Sequence, residues 1–280
     1  MRCATRLLPA IALLPGARSF LFRPFSFTAT RRFGSKRWTA LVEAAFAREM
    51  ARRSDLALSA SPAIPDAFTL ATRHWLQRVV VGLRLCPWAA GVLEGDRLRV
   101  VSAAAEHEDC EDLLETVHDE LAMLAGRGKV DSATTLIVVR PPALQDFSDF
   151  LSVTSDVDAL IDGMRLRGAV QLATFHPRYQ FDGAAPDDVT NFTNRSPFPT
   201  LHLLREDEVS MAVASYLGGD GDLSRVWGRN QELMEELGAE HMAGLVEKCV
   251  ADGEADVAAV TATTAAADAA AAAAEAEGAP

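Results

Sequence analysis

The chain has 280 residues, 49% hydrophobic and 24% charged, the mixture of a globular protein with material for a large core. Its net charge of -12 is uneven: residues 1–42 hold eight basic residues and no acid, leaving 19 basic against 39 acidic residues after them. That acidic remainder argues against a nucleic-acid wrapper or a polybasic membrane binder, and four cysteines without CxxC spacing indicate neither a disulfide scaffold nor a zinc ribbon.

In chain order, residues 1–42 are Arg-rich, acid-free and Ser/Thr-containing, as in an organelle transit peptide. Arg31-Arg32-Phe33-Gly34-Ser35 reads as the end of a mitochondrial presequence. The apolar stretch Leu7–Leu14, followed by Ala17-Arg18-Ser19-Phe20, resembles the bipartite leader of a plastid protein instead. The expected location is mitochondrial, with the plastid as alternative. Residues 43–65 read as a linker, 66–250 as one domain, and 251–280 as a disordered tail. That tail carries sixteen alanines, six acids and no base. No apolar run approaches the ~18 residues of a membrane span.

Within the domain, Phe68, Trp75, Leu76, Val79, Val80 and Leu83 recur at helical spacing and predict a helix ending near Cys86, before Pro87. A short strand follows at Leu98–Val101, then an amphipathic helix over Glu108–Ala125. Thr134–Val139 reads as a buried strand stopped by Pro141-Pro142. Helical spacing resumes from Phe147 to Met164, and Ala169–Phe175 is a further strand. Leu201–Leu204 reads as an edge strand, with helices at Glu206–Tyr216 and Arg225–Leu237. Alternating strands and helices predict a single α/β domain with a small, mostly parallel sheet flanked by helices. A ferredoxin-like α+β fold is the alternative.

Two runs are distinctive. One is Gly82-Leu83-Arg84-Leu85-Cys86-Pro87-Trp88. The other is Ala173-Thr174-Phe175-His176-Pro177-Arg178-Tyr179-Gln180-Phe181, continuing through Ala185-Pro186-Asp187-Asp188 and Asn191-Phe192-Thr193-Asn194-Arg195-Ser196-Pro197-Phe198-Pro199 to Leu201-His202-Leu203-Leu204-Arg205-Glu206. Together they resemble the bacterial family filed as domain of unknown function 1415, over about residues 68–238. The resemblance implies a compact domain of bacterial derivation carrying an organelle-targeting extension, and it brings no assigned reaction.

The region 176–206 is the candidate site, because long loops without apolar period are often functional and His176 ends a strand of an open sheet. Arg195 and Arg205, with Asn191 and Asn194, read as binders of a small anionic molecule, their planar forks matching carboxylate or phosphate. His176, His202 and Asp187 read as catalytic residues of a hydrolase or transferase. A second arrangement joins His176, His202 and Asp187 or Asp188 around a divalent metal, zinc or ferrous iron. Cys86 is a candidate nucleophile with His176 or His202 as its base. Two readings without catalysis stand beside these. The loop is held together by its own caps and turns, or it contacts a partner in a ligand-binding or assembly module.

Overall fold

A computed structural model describes residues 66–95, 97–106, 110–126, 134–217 and 224–277, with side chains of the last helix to residue 266. The expected transit peptide and linker lie outside these residues. Helix α1 (Ala67–Trp75) continues as a π-helical stretch over Leu76–Val81. Asp66 caps it, one carboxylate oxygen accepting from Thr69 N at 2.8 Å and the other from the Ser102 hydroxyl. Then come α2 (Ala89–Glu94), β1 (Leu98–Ala103), α3 (Glu111–Gly126), β2 (Thr134–Val139), α4 (Phe147–Gly163) and β3 (Val170–Phe175). A loop with one 3-10 turn (Val189–Thr193) leads to β4 (Thr200–Arg205), α5 (Glu206–Leu217), α6 (Ser224–Leu237) and α7 (Ala239–Glu277).

The sheet order is β1-β2-β4-β3, with β1 and β2 parallel and β4 antiparallel to both its neighbours. The class is α/β as expected, but the sheet is mixed rather than mostly parallel. The helical crossovers α3 and α4 keep β1, β2 and β3 in one direction, whereas the loop after β3 brings the chain back reversed. β4 is therefore a central strand and not an edge, and Leu201 and Leu203 are fully buried. The split βαβ of the ferredoxin-like alternative is present in β2-α4-β3 with β4 between them. β1, lying parallel beside β2, departs from that fold.

Strand parity divides the side chains between two layers. Ile137, Val139, Leu201 and Leu203 pack with Leu113, Val117 and Leu121 of α3 and with Phe150, Val157 and Ile161 of α4. The opposite parity sends Leu98 and Leu136 into a second cluster with Trp75 of α1, Leu76 and Val79 of its π-helical continuation, Met234 of α6, and Met242 and Cys249 of α7. Gly238, at φ 76°, separates α6 from α7, its N–H bonding to Met234 O at 2.9 Å; this left-handed geometry is cheap only for glycine.

The segment from 251, expected to be disordered, is helical through Glu277, and its first turns belong to the packed domain. A Cβ on Gly253 would stand 2.6 Å from Ala71 N, so α7 and α1 touch backbone to backbone. Asp252 pairs with Arg78, and Asp256 with His74 at 2.8 Å. Alanine composition signalled little to bury, but small residues are what such a close crossing admits.

Candidate functional site

Register builds the floor of a cavity on the α1 side of the sheet. Val100, Leu136, His202 and Ala173 stand opposite one another across the four strands, and Gln171 pairs with Leu204 one row away. Ala173 is the small member of that row. Above it lies a cavity of about 560 Å³, walled by Trp75 of α1, the Cys86–Trp88 turn, residues of α5, and Trp227 and Asn230 of α6. The size is that of a small-molecule pocket.

His202 is the polar centre of this floor. Its Nε2 lies 2.6 Å from Thr134 Oγ1, which also lies 2.8 Å from the Leu203 carbonyl. The Thr134 hydroxyl has one hydrogen and gives it to Leu203 O, so its oxygen accepts from Nε2–H. The lone pair is thereby assigned to Nδ1, which has no protein partner among the described residues. Burial pushes the imidazole pKa down to about 4, so the ring is neutral at pH 7.

Other polar atoms of the wall are also unmatched. The indole N–H groups of Trp75 and Trp227 and the amide oxygens of Gln171 and Asn194 are buried without a hydrogen-bond partner. Such groups each cost roughly 1–3 kcal/mol when left unmade, and native interiors hold few of them. Their residues all line the cavity, but these four atoms have no accessible surface and lie within its wall. At its more exposed side, Arg97 pairs with Glu208, and Arg205 makes a bidentate contact with Asp207 at 3.1 and 3.2 Å. The Arg205 guanidinium holds the Asp207 carboxyl below its ordinary range.

Cys86 lines the same cavity. Burial pushes its thiol up, against a smaller opposite pull from the backbone N–H groups of Trp88 and Ala89, so it is a protonated thiol at neutral pH. Its turn is pinned from α6: Asn230 Nδ2 donates to Leu85 O at 2.8 Å, and Arg229 donates to the carbonyls of Leu83 and Arg84, both at 3.0 Å. A side chain on Gly82 would strike the Arg78 carbonyl, which gives this run its glycine a physical reason.

The candidate residues therefore separate. His202, Cys86, Arg205 and Asn194 meet at the cavity; His176, Asp187, Arg195 and Asn191 do not line it. His176 is fully buried between Phe147 and Phe150, with Nε2 2.9 Å from Leu144 O and Nδ1 accepting from Arg178 N at 2.9 Å. Both ring nitrogens are thus occupied, and burial holds the ring's pKa down. Asn191 takes Phe181 N at 3.0 Å and gives to Ala185 O at 2.9 Å. Arg195 reaches Tyr179 O and Pro186 O at 3.3 and 2.6 Å and lies 4.6 Å over the Phe192 ring. Asp187 is exposed in the turn before Asp188, which caps the 3-10 turn by accepting from Thr190 N at 2.9 Å. Within 176–195, then, the side chains of His176, Asn191 and Arg195 bond the loop's own and neighbouring backbone, away from the cavity. The structure does not bring His176 and Asp187 to the cavity that His202 lines. Among the described residues no group of three His, Cys, Asp or Glu could hold a metal ion.

Sequence reasoning missed Gln171, Thr134, Trp75 and Trp227 as parts of this wall. Gln171, a polar residue inside the apolar strand Val170–Phe175, was the one legible signal. No described helix is long and apolar enough to cross a membrane.

Residues 67–244 match the model of the family described as protein of unknown function (DUF1415), and the chain belongs to that family. No curated protein and no solved structure matches it.

Proposed function

We propose that this member of the family binds a small molecule with an apolar body and an anionic group in the cavity above His202, and transforms it by hydrolysis or group transfer. Its place of work is an organelle, the mitochondrion before the plastid, as the basic, acid-free residues 1–42 support. The observation that carries the binding reading is the largely apolar cavity of about 560 Å³ over a neutral His202, whose Nδ1 has no protein partner among the described residues. A ligand fills the cavity over the His202 ring. Its anionic end fits beside Arg97 and Arg205, the cations of the wall.

In the catalytic role His202 accepts a proton at Nδ1, while Thr134 and the Leu203 carbonyl fix the tautomer. Arg205 orients the anionic group. One observation favours a second reading, a carrier that releases its ligand unchanged. The single carboxylate among the described wall residues, Glu208, is ion-paired with Arg97, so His202 has no obvious acid to work with.

Native mass spectrometry of the full chain tests the proposal. A small molecule should accompany the wild type and be lost from His202→Phe and from Ala212→Trp, which fills the pocket from α5. Release of an altered mass on incubation distinguishes enzyme from carrier. A bare chain in every case, with thermal melts unmoved by Ala212→Trp, rejects the cavity as a binding site.

A further inference from the structure

The cations of the cavity already hold an anion that belongs to the chain. Among the described residues that line it, the charged side chains are Arg97, Arg205 and Glu208. Glu208 stands in the first turn of α5, and its Oε2 accepts from Nη2 of Arg97, the residue before β1. Arg205 keeps Asp207 in its bidentate contact. That hydrogen bond, with lesser pulls from the charges of Asp207 and then Glu208, raises the Arg205 pKa. The Glu208 carboxylate thus lies in the field of both arginines, where an anionic ligand group would have to sit.

The charges of this group cancel, two guanidinium groups against two carboxylates. While Glu208 stays, an outside anion gains no net attraction, because Glu208 repels it about as strongly as Arg97 draws it. With Glu208 turned away, one positive charge is left over. The turn costs little. Both members of the pair keep contact with solvent, Arg97 being 41% and Glu208 21% exposed, and ion pairs of that kind hold a factor of about five at most. The N-terminus of α5 goes on favouring a negative charge in its first turn. A leftover charge of one suits a carboxylate. A phosphate dianion would exceed it beside Asp207, and a cation would meet two arginines whose acids are already taken. The apolar side chains of the wall include Leu76, Val80, Leu98, Leu136, Leu204 and Val209, drawn from five elements of the fold.

We infer that the ligand is an apolar monocarboxylate, whose carboxylate takes the place of Glu208 on Arg97 beside Arg205 and whose body lies along the aliphatic wall. This rests on the cavity being the binding site. Glu208 is then a built-in competitor, a residue that keeps the subsite neutral between ligands and decides which anions enter. Because it sits in the first turn of α5, its displacement also releases the tie between α5 and the start of β1.

The test is calorimetric titration of the full chain with octanoate, naphthalene-1-acetate, the primary amide of each, and octyl phosphate. One of the two acids should bind at least tenfold more tightly than its amide, the scale of a hydrogen bond to a charged group, and octyl phosphate should bind no more tightly than octanoate. Glu208→Gln, which keeps the shape and removes the competing charge, should tighten that acid at least threefold and leave the amide unchanged. Arg97→Gln should erase the preference for the acid. Should Arg97→Gln fail to fold, the Glu208→Gln comparison decides alone. Equal affinity for acid and amide, or an acid that Glu208→Gln binds no better, overturns the inference, while the cavity reading stands if Ala212→Trp still blocks binding. Tighter binding of octyl phosphate than of octanoate overturns the monocarboxylate in the same way. Failure of every probe also overturns it, and the native mass comparison of wild type with Ala212→Trp then decides separately whether the cavity binds anything.

Discussion

Nε2 of His202 stands 2.6 Å from the hydroxyl oxygen of Thr134, which passes its own hydrogen to Leu203 O. The pair fixes a neutral imidazole under the cavity, with a pKa pushed down to about 4 from an ordinary 6.5. Between those two values the unfolded chain binds a proton that the native state refuses. Stability is therefore fully present above about pH 6.5 and falls as pH drops toward 4, by roughly 3 kcal/mol for this group. Urea unfolding at pH 7 and pH 4 should show that loss in the wild type, and a clearly smaller one in His202→Phe.

The loop after β3 should behave as a structural clip. His176→Ala removes a fully buried ring with both nitrogens bonded and packed on two phenylalanines, and should cost roughly 2–4 kcal/mol. Protease cleavage within 176–199 should accelerate. At temperatures where the variant is folded, ligand capture should persist. Capture lost in a fully folded His176→Ala would return this histidine to the site.

Gly253 should tolerate no side chain. A Cβ there meets Ala71 N at 2.6 Å, Ala67 O at 2.8 Å and Ala71 Cα at 2.9 Å, all backbone atoms with no rotamer to escape into. Gly253→Val should destabilise by about 1–3 kcal/mol or more in chemical denaturation, whereas the same change at Gly244, where a Cβ would meet nothing within 4 Å, should cost far less.

Cys86 should be a slow thiol. Burial holds it protonated, so alkylation at pH 8 should run at least tenfold below the rate of a free thiol, read by peptide mass mapping. Occupancy of the cavity should slow it further. A rate faster than that of the free thiol would mark Cys86 as a nucleophile after all.

The strands and most helices were legible because apolar periodicity reports the layers directly: Thr134–Val139 and Val170–Phe175 sit where their runs of hydrophobic residues placed them. The position of β4 in the sheet was not, because the reversal is made by a loop whose pairing leaves no periodic trace. The site divided on a similar line. Crowding of Asp, Asn, Arg and His between 176 and 195 looks the same in sequence whether those groups face a ligand or their own carbonyls, and here Asn191 and Arg195 face the carbonyls. His202 was the informative residue. Between Leu201 and Leu203, which are fully buried on one face, strand parity alone sends its ring to the other. Gln171 follows by the same parity, but only once its pairing with Leu204 is known.

The crossing of α1 with α7 joins the first described helix to the last. Trp75 and Val79, each almost fully buried, look toward a layer completed by Met242, Cys249 and Gly253. A ribosome delivers these partners some 170 residues apart, a delay on the order of ten to thirty seconds at roughly 5–20 residues per second. Throughout that interval α1 has the sheet residues Leu98 and Leu136, and later Met234, against its apolar side. More of its native cover arrives with the last helix, so the layer that carries Trp75 over the His202 cavity is joined from both ends of the domain.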